Sequence, residues 1–410
     1  MKILVLNSGS SSLKFQLFAL DSLSNNDCRL LASGLVEQIG EAHGSSQIEY
    51  RNKQQRLENF THQSVIGDHQ HALEIMISLL QSKQCLSSMT ELSGIGHRVV
   101  HGGEFFSDPV IIDHQVIASI DSLSPLAPLH NPANLTGIKL AQQKAPDVPQ
   151  VAVFDTSFHQ SIPKPAYIYA LPYSLYEENK VRRYGFHGTS HHYVSKQASA
   201  YLADHQQKEI ADLKLISIHL GNGTSISAIL NGQSIDTSMG MTPLEGLVMG
   251  TRSGDIDPAI LFYLNREIGM SIDELDTLLN KQSGLKGICG TNDMRSIVER
   301  AEQGDLLAEL AMHVFSYRIK KYIGAYLAAL NGVDAIIFTG GIGEHSSVIR
   351  ALVCQDLDNL GIQVDAAKNN GTSKETLEIQ SDSSAIKILV IPTNEELEIA
   401  EQTIKLMKSI

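Results

Sequence analysis

Two arginines set between glycines are the first residues in this chain whose type and surroundings suggest chemistry. Arg98 stands in Gly94-Ile95-Gly96-His97-Arg98-Val99-Val100-His101-Gly102-Gly103, and Arg252 in Gly250-Thr251-Arg252-Ser253-Gly254-Asp255. A guanidinium is a planar fork of fixed charge that suits carboxylate or phosphoryl oxygens, and flanking glycines leave room for a ligand. His187 lies in Tyr184-Gly185-Phe186-His187-Gly188-Thr189-Ser190, where Thr189 or Ser190 opens a helix running through His191 to Leu202. A helix N-terminus favours an anion, and a histidine there can donate to it; most of the 16 histidines must nevertheless be structural or solvated. Asp155 ends the apolar run Val151-Ala152-Val153-Phe154, where it either orients a ligand or caps the next segment. Glu395 and Glu396 follow Ile388 to Ile391 in the same way and either join a site or simply begin the last helix.

These side chains need a frame, and the chain supplies it twice. Ile3-Leu4-Val5-Leu6 runs into Asn7-Ser8-Gly9-Ser10-Ser11-Ser12-Leu13-Lys14, after which Leu13, Phe15 and Leu17 alternate. That is a β-hairpin whose turn is rich in glycine and hydroxyls and ends in lysine, a cradle for phosphate. Leu215-Ile216-Ser217-Ile218 likewise runs into His219-Leu220-Gly221-Asn222-Gly223-Thr224-Ser225, followed by alternating Ile226, Ala228 and Leu230. A duplicated hairpin predicts two similar halves, with a ligand gripped by both turns lying between them.

The composition agrees with such a frame. A chain of 410 residues exceeds what one core usually organises, and 42% hydrophobic residues without tryptophan are ordinary for an α/β protein. A net charge of −13 argues against nucleic acid as a partner. Cys28, Cys85, Cys289 and Cys354 form no metal-binding or disulfide pattern, which predicts a reducing cytoplasm. No apolar run approaches the roughly 20 residues that span a bilayer, so no membrane association is expected.

A long amphipathic helix is predicted from Leu306 to Leu330, stopped by Asn331-Gly332, with a buried strand at Ala335 to Thr339. A glycine turn, Gly340-Gly341-Ile342-Gly343-Glu344, then leads to a helix capped by Ser346 or Ser347 and reaching Leu360. Strand, glycine turn and helix form a common meeting place for a nucleotide. The chain contains neither a Walker A loop nor a complete dinucleotide fingerprint. Polar stretches at Gly44 to His71, Asp204 to Lys214 and Ala366 to Ser384 are expected to be surface loops, hairpins or short insertions.

The two extended motifs, Asn7 to Lys14 and His219 to Gly232, carry a resemblance to the acetate kinase family, part of the superfamily that also holds sugar kinases, heat-shock ATPases and actin. Arg98 to Gly103, Phe154 to His159, Arg183 to Gly188, Gly250 to Asp255 and Thr393 to Leu397 support it in the family's order. The resemblance implies an α/β fold of two duplicated actin-like, ribonuclease H-like βββαβαβα domains around a central nucleotide cleft. One domain would comprise residues 1–154 with 394–410, and the other 155–393. It implies reversible phosphorylation of acetate to acetyl phosphate, with ATP/ADP as co-substrate, Mg²⁺ (or Mn²⁺) as cofactor, and a homodimer.

By the same resemblance, Asn7 and Glu395 would hold the metal, while Ser10, Ser12 and Lys14 face the phosphates. His219, Leu220, Gly221, Asn222 and Gly223 would line the ATP site with Asp293, Met294, Arg295, Gly341, Ile342, Gly343, Glu344 and His345. Arg98 would bind the acetate carboxylate, and Val100, Leu129, Phe186 and Pro243 its methyl group. His187 and Arg252 would steady the transferring phosphoryl group, and Asp155 would be the essential catalytic carboxylate. The family usually has asparagine where this chain has His345, a departure expected to bear on nucleotide preference more than on chemistry. Two other readings are open at this stage: a propionate or other short-chain acyl kinase, and an ATP-driven binding protein of the actin or chaperone type.

Overall fold

The computed structural model describes residues 1–20, 28–52, 56–206, 212–373 and 375–409. They form two compact units, Met1–Ser157 with Asn394–Ile410, and Phe158–Thr393. The first unit keeps Asp155 and Thr156, which the expected boundary at residue 154 assigned to the other domain. Hydrogen bonds explain why: the Asp155 N–H donates to the Val99 carbonyl, and Thr156 Oγ1 accepts from the Gly102 N–H.

In the first unit the strands are β1 (Lys2–Ser8), β2 (Ser12–Leu20), β3 (Cys28–Glu37), β4 (Gly44–Arg51), β5 (Leu57–Ser64), β6 (Gly94–Val99), β7 (Val110–Ile111) and β8 (Gln150–Phe154). They make one sheet in the order β5-β4-β3-β2-β1-β6-β8-β7. β1 to β3 pair antiparallel, whereas β1, β6 and β8 run parallel. Helices cover both faces, so β1 is apolar nearly throughout instead of alternating. Leu4, Leu6 and Phe15 pack beneath α1 (His69–Ser82) and α2 (Asn131–Lys144). On the opposite face, Ile3, Val5 and Val153 meet Ile399, Ala400 and Ile404.

Those last residues belong to the C-terminal helix, Glu395–Lys408, and they correct the reading of the glycines near Arg98. A Cβ on Gly96 would stand 2.6 Å from Thr403 Oγ1, and one on Gly94 would stand 2.4 Å from Met407 Sδ. The space beside Gly94 and Gly96 is therefore filled by the helix and was not left for a ligand.

The second unit repeats the core of the first. Its strands are β9 (Lys214–Leu220), β10 (Thr224–Leu230), β11 (Gln233–Thr237), β12 (Ala335–Thr339), β13 (Leu377–Glu378) and β14 (Lys387–Val390). Their order is β11-β10-β9-β12-β14-β13, with β9 to β11 antiparallel and β9, β12 and β14 parallel. This matches β3-β2-β1-β6-β8-β7, including the two-residue antiparallel edge strand. One face is covered by α3 (Gly188–Gln206), through Val194, Ala198 and Leu202. The other is covered by the 25-residue α4 (Leu306–Leu330), through Phe315, Ile319 and Ile323. Helix α4 begins at an Asp305 cap and ends at Asn331, whose φ of 51° is left-handed, where the sequence places its ends.

The helix expected to reach Leu360 is shorter. Gly340–His345 already turns helically as α5, and Ser346 then caps α6 (Ser347–Cys354) by accepting the Ile349 N–H. Asp356, at φ 59°, breaks the path before a last turn at Asp358–Leu360. The C-terminal Glu395–Lys408 is thus α7.

Of the polar stretches, the first forms the β4-β5 ribbon and the start of α1. The third holds a short helix at Ala366–Asn369 and β13. The stretch from Asp204 to Lys214 lies largely outside the described residues. No helix among the described residues is long and apolar enough to cross a membrane. Cys28, Cys85, Cys289 and Cys354 are all unbridged.

Two buried histidines tie stability to pH. His97 is bonded to Gln150 Oε1 at 2.7 Å, and burial lowers its pKa to about 4; His159 is likewise lowered to about 4 by burial. A neutral ring that must take up a proton on unfolding stabilises the fold above the unfolded value near 6.5, and this stabilisation is lost as pH falls toward 4. Each such group contributes a slope of about 1.4 kcal/mol per pH unit inside that window. Urea midpoints measured from pH 7 to pH 4 should fall steadily below pH 6.5, with a shallower fall for His97→Gln.

Candidate functional site

In the first unit three of the candidate side chains sit at the carboxyl ends of the parallel strands β1, β6 and β8. Asn7 closes β1, Arg98 lies on β6, and Asp155 follows β8. Arg98 Nε and Nη2 donate to the two Asp155 carboxylate oxygens at 3.0 and 2.6 Å, and Nη1 reaches Asn7 Oδ1 at 3.4 Å. Glu395, from the first turn of α7, stands 3.7 Å from Arg98 Nε. Burial by itself lowers the Arg98 guanidinium, but the charges of Asp155 and Glu395 more than offset it and raise it overall. Glu395 is pushed above the usual carboxylate range by burial, helped by Asp155 and Glu396 against the pull of Arg98 and Lys14.

The first loop is a tight hairpin turn. Asn7 pairs with Lys14 and Ser8 with Leu13, and the Gly9 N–H closes on the Ser12 carbonyl at 2.8 Å. Ser10 is exposed and Ser12 partly so. His69 Nε2 donates to the Gly9 carbonyl at 2.7 Å, and the Ile39 N–H to that of Ser11 at 3.0 Å, which pins the turn from outside. Lys14 is half exposed, and its Nζ is held 2.6 Å from Glu396 Oε1. Val100 is buried, whereas Leu129, expected in the same apolar pocket, is 51% exposed.

In the second unit His187 and Arg252 converge on Gly223. A Cβ added to Gly223 would lie 3.2 Å from His187 Nε2 and 3.7 Å from Arg252 Nη1. Helix α3 starts at Gly188, one residue earlier than Thr189, because His187 itself turns the chain at φ 55°. Its ring stacks on His219, with centroids 4.4 Å apart. Arg252 Nη1 donates to the Pro243 carbonyl at 3.1 Å. Burial lowers the guanidinium from its ordinary value, and among the described residues no ion pair compensates it.

The remaining nucleotide motifs lie beside this pair. β12 runs parallel to β9, with Thr339 opposite His219. Gly340, at φ 76°, approaches Leu220 so closely that a Cβ would stand 2.8 Å from the Leu220 carbonyl oxygen. The His219–Gly223 loop and the Gly341–His345 turn therefore leave neighbouring strand ends. Asn222 Oδ1 accepts from Asn292 Nδ2 at 2.9 Å, which brings the segment of Asp293, Met294 and Arg295 to the same loop. Asp293 caps the following helix and pairs with Arg295 at the surface. Glu344 Oε1 accepts the Gly340 and Thr393 N–H groups, so its carboxylate is an internal anion tying the turn to the end of the unit. Phe186 is buried, and its carbonyl accepts from His159 Nε2.

The sequence model of the acetokinase family matches residues 2–401. The chain belongs to the acetokinase family. It is 51% identical over 408 residues to the acetate kinase of Desulfotalea psychrophila, covering 98% of each chain, and 51% identical to that of Campylobacter lari, covering all of both. Among solved structures, a propionate kinase from Francisella tularensis superposes with a TM-score of 0.90 at 44% identity, over 98% of this chain and 99% of the other. Porphyromonas gingivalis acetate kinase does so with 0.88 at 42% identity, over 99% of each. The protein is accordingly an enzyme, a kinase.

Two residues in this acetokinase escaped the sequence reading. Asn134 Nδ2 donates to the Ser8 carbonyl at 2.7 Å while its Oδ1 accepts the Val100 N–H at 3.1 Å, so one buried amide fixes the first loop against the end of β6. Asn131, one turn earlier on α2, bonds both the N–H and the carbonyl of His101. Asn131 and Asn134 are an i, i+3 pair of buried amides on a short-looped helix, the signal that points to them. Glu396 was a candidate beside Glu395, but its pairing with Lys14 was not foreseen. Asn134→Ala would strand one buried N–H and one buried carbonyl, at a cost on the order of 1–3 kcal/mol for each group left unpaired. Its urea midpoint should fall by a corresponding amount; an unchanged midpoint would show that water replaces the amide.

Proposed function

We propose that the protein catalyses reversible transfer of the γ-phosphoryl group of ATP to acetate, giving acetyl phosphate and ADP. The observation that carries this reading is Arg252, a partly buried guanidinium without an ion pair among the described residues, converging with His187 Nε2 on Gly223. A buried cation left uncompensated is costly unless an anion completes it. A phosphoryl group in transfer, with charge spread over its equatorial oxygens, is such an anion.

Acetate is already ionised at pH 7, so its oxygen attacks without giving up a proton. The new bond joins that oxygen to γ-phosphorus, the bond from phosphorus to the β-bridging oxygen breaks, and ADP leaves with the electron pair. What the chemistry requires is positioning and opposite charge. His187 and Arg252 take the transferring oxygens. Arg98 spends two of its N–H groups on Asp155 and keeps others for the acetate carboxylate, which makes Asp155 the group that orients and neutralises Arg98. Val100, Leu129, Phe186 and Pro243 are assigned to the methyl group.

Among the described residues no group of three or more histidine, cysteine or acidic side chains is arranged for a metal. Mg²⁺ needs less, because it keeps waters and takes one or two protein oxygens besides phosphate. Asn7 Oδ1 and the Glu395 carboxylate, both beside Arg98, fit that donor set. When bound, the ion neutralises charge on the phosphate oxygens. The reading further places the enzyme in the cytoplasm.

Hydroxylamine trapping with ATP and Mg²⁺ tests the proposal, comparing acetate, propionate and butyrate at matched concentrations. The strongest acyl hydroxamate signal is expected with acetate. A propionate maximum would favour the reading suggested by the Francisella tularensis neighbour, and no signal with any acid would overturn the proposed transfer to a carboxylate. Arg252→Ala and His187→Ala should each lower kcat by about 10²-fold or more, whereas Arg98→Ala should mainly raise the KM for acetate.

A homodimer is also proposed, supported by apolar side chains left uncovered on the second unit. Phe262, Ile268, Ile272, Leu306 and Tyr317 are 63 to 80% exposed, and large apolar side chains in water are the material that a subunit interface covers. Light scattering should give twice the mass of one chain, and Ile272→Glu with Leu306→Glu should halve it.

A further inference from the structure

We infer that Ser225 and His191 are positioning residues for His187, forming a hydroxyl and imidazole relay that leaves the His187 proton on Nε2. The inference rests on the proposed role of His187 and goes beyond it to residues that stand behind the ring.

Helical spacing brings the two rings together. His191 follows His187 by four residues at the start of α3, and its N–H donates to the His187 carbonyl at 2.9 Å. The His191 ring is fully buried and wedged between two strand hydroxyls. Its Nδ1 lies 2.9 Å from Ser217 Oγ on β9, and its Nε2 lies 2.7 Å from Ser225 Oγ on β10. The same Ser225 Oγ lies 2.9 Å from His187 Nδ1. Ser225 is itself buried.

Counting protons then constrains the rings. Burial, with His159 and His219 nearby, holds His191 well below the ordinary histidine value, so it is neutral and carries one proton. Ser225 has one hydroxyl proton and two imidazole neighbours, so it donates to one ring and accepts from the other. Two chains satisfy these atoms, one running toward His187 and one away from it, and the relay is the one that runs toward His187. Ser217 donates to His191 Nδ1, His191 Nε2–H donates to Ser225 Oγ, and Ser225 donates to His187 Nδ1.

In that direction His187 holds its proton on Nε2, the nitrogen that faces Gly223 beside Arg252 Nη1. A proton on Nε2 is what a donor to a phosphoryl oxygen requires. The left-handed backbone of His187, at φ 55°, costs energy for a residue other than glycine and orients the ring toward the relay.

Nitrogen-15 NMR of histidine-labelled protein reads the tautomer directly. Wild type should show His187 protonated on Nε2 and bare on Nδ1; a proton on Nδ1 alone would overturn the relay, whatever any variant does. Ser225→Ala should lower kcat by about 10–100-fold, the range typical for loss of a supporting hydrogen bond behind a reacting group, with KM values little changed. Ser225→Thr, which keeps the hydroxyl, should restore most of it. In a His187→Ala background, Ser225→Ala should add nothing. Wild-type kcat and an unchanged tautomer in Ser225→Ala would also overturn the relay. If His187→Ala kept wild-type turnover, the role proposed for His187 would fail, while the tautomer measurement would still decide the relay.

Discussion

A guanidinium taken out of water must find a negative charge, and this protein answers that demand in two ways. Arg98 is met within its own unit by Asp155, with Glu395 close by. Arg252 is met by carbonyl and thioether dipoles alone among the described residues, from Pro243 and Met249. Fixed dipoles soften the cost of burial without cancelling the charge. In a chain with a net charge of −13, long-range attraction does not draw an anion in, so a local cation held ready must do that.

The loops that carry these charges depend on backbone approach at the ends of parallel strands. Gly284, at φ 63°, lets its turn press within 2.2 Å of the Met249 carbonyl oxygen as measured from an ideal Cβ, closer than any side chain permits. The Leu285 and Lys286 N–H groups then bond the Met249 and Gly250 carbonyls and fix the segment before Arg252. Gly250 leaves room for Asn222 Oδ1 in the same way. Rigid support of this kind is needed when catalysis consists of holding charge in place.

Legibility in the sequence followed periodicity and local punctuation. The two hairpins announced themselves by alternation on either side of glycine and hydroxyl turns, and α4 by its 3.6-residue pattern and its Asn331-Gly332 stop. The glycines around Arg98 misled because a glycine facing a ligand and one facing a helix look alike in sequence; Thr403 and Met407, more than 300 residues away, decide the matter. The end of α6 was hidden because Gln355 and Asp356 are ordinary helix residues until tertiary packing places Asp356 at positive φ. Arg98 and Asp155 were each visible from local sequence and Asn7 from the family resemblance, but their meeting was not, since it depends on β1, β6 and β8 being neighbours. Ser225 was quoted only as part of a turn. Its role rests on a cross-strand and helix juxtaposition that no spacing rule expresses.

The unequal treatment of the two arginines fits the energetics of the proposed reaction. An interaction equally strong with substrate and transition state lowers KM without raising kcat, and only a difference between the two accelerates the chemistry. Arg98, already satisfied by Asp155, has little to gain from an acetate carboxylate whose charge hardly changes on the way to the transition state. Its gain goes into orientation. Arg252 and His187 are proposed to face oxygens whose charge is redistributed as the phosphoryl group loosens from ADP, and the Arg252 guanidinium is not neutralised beforehand by a carboxylate among the described residues. The stronger field is thus reserved for the group whose charge changes most.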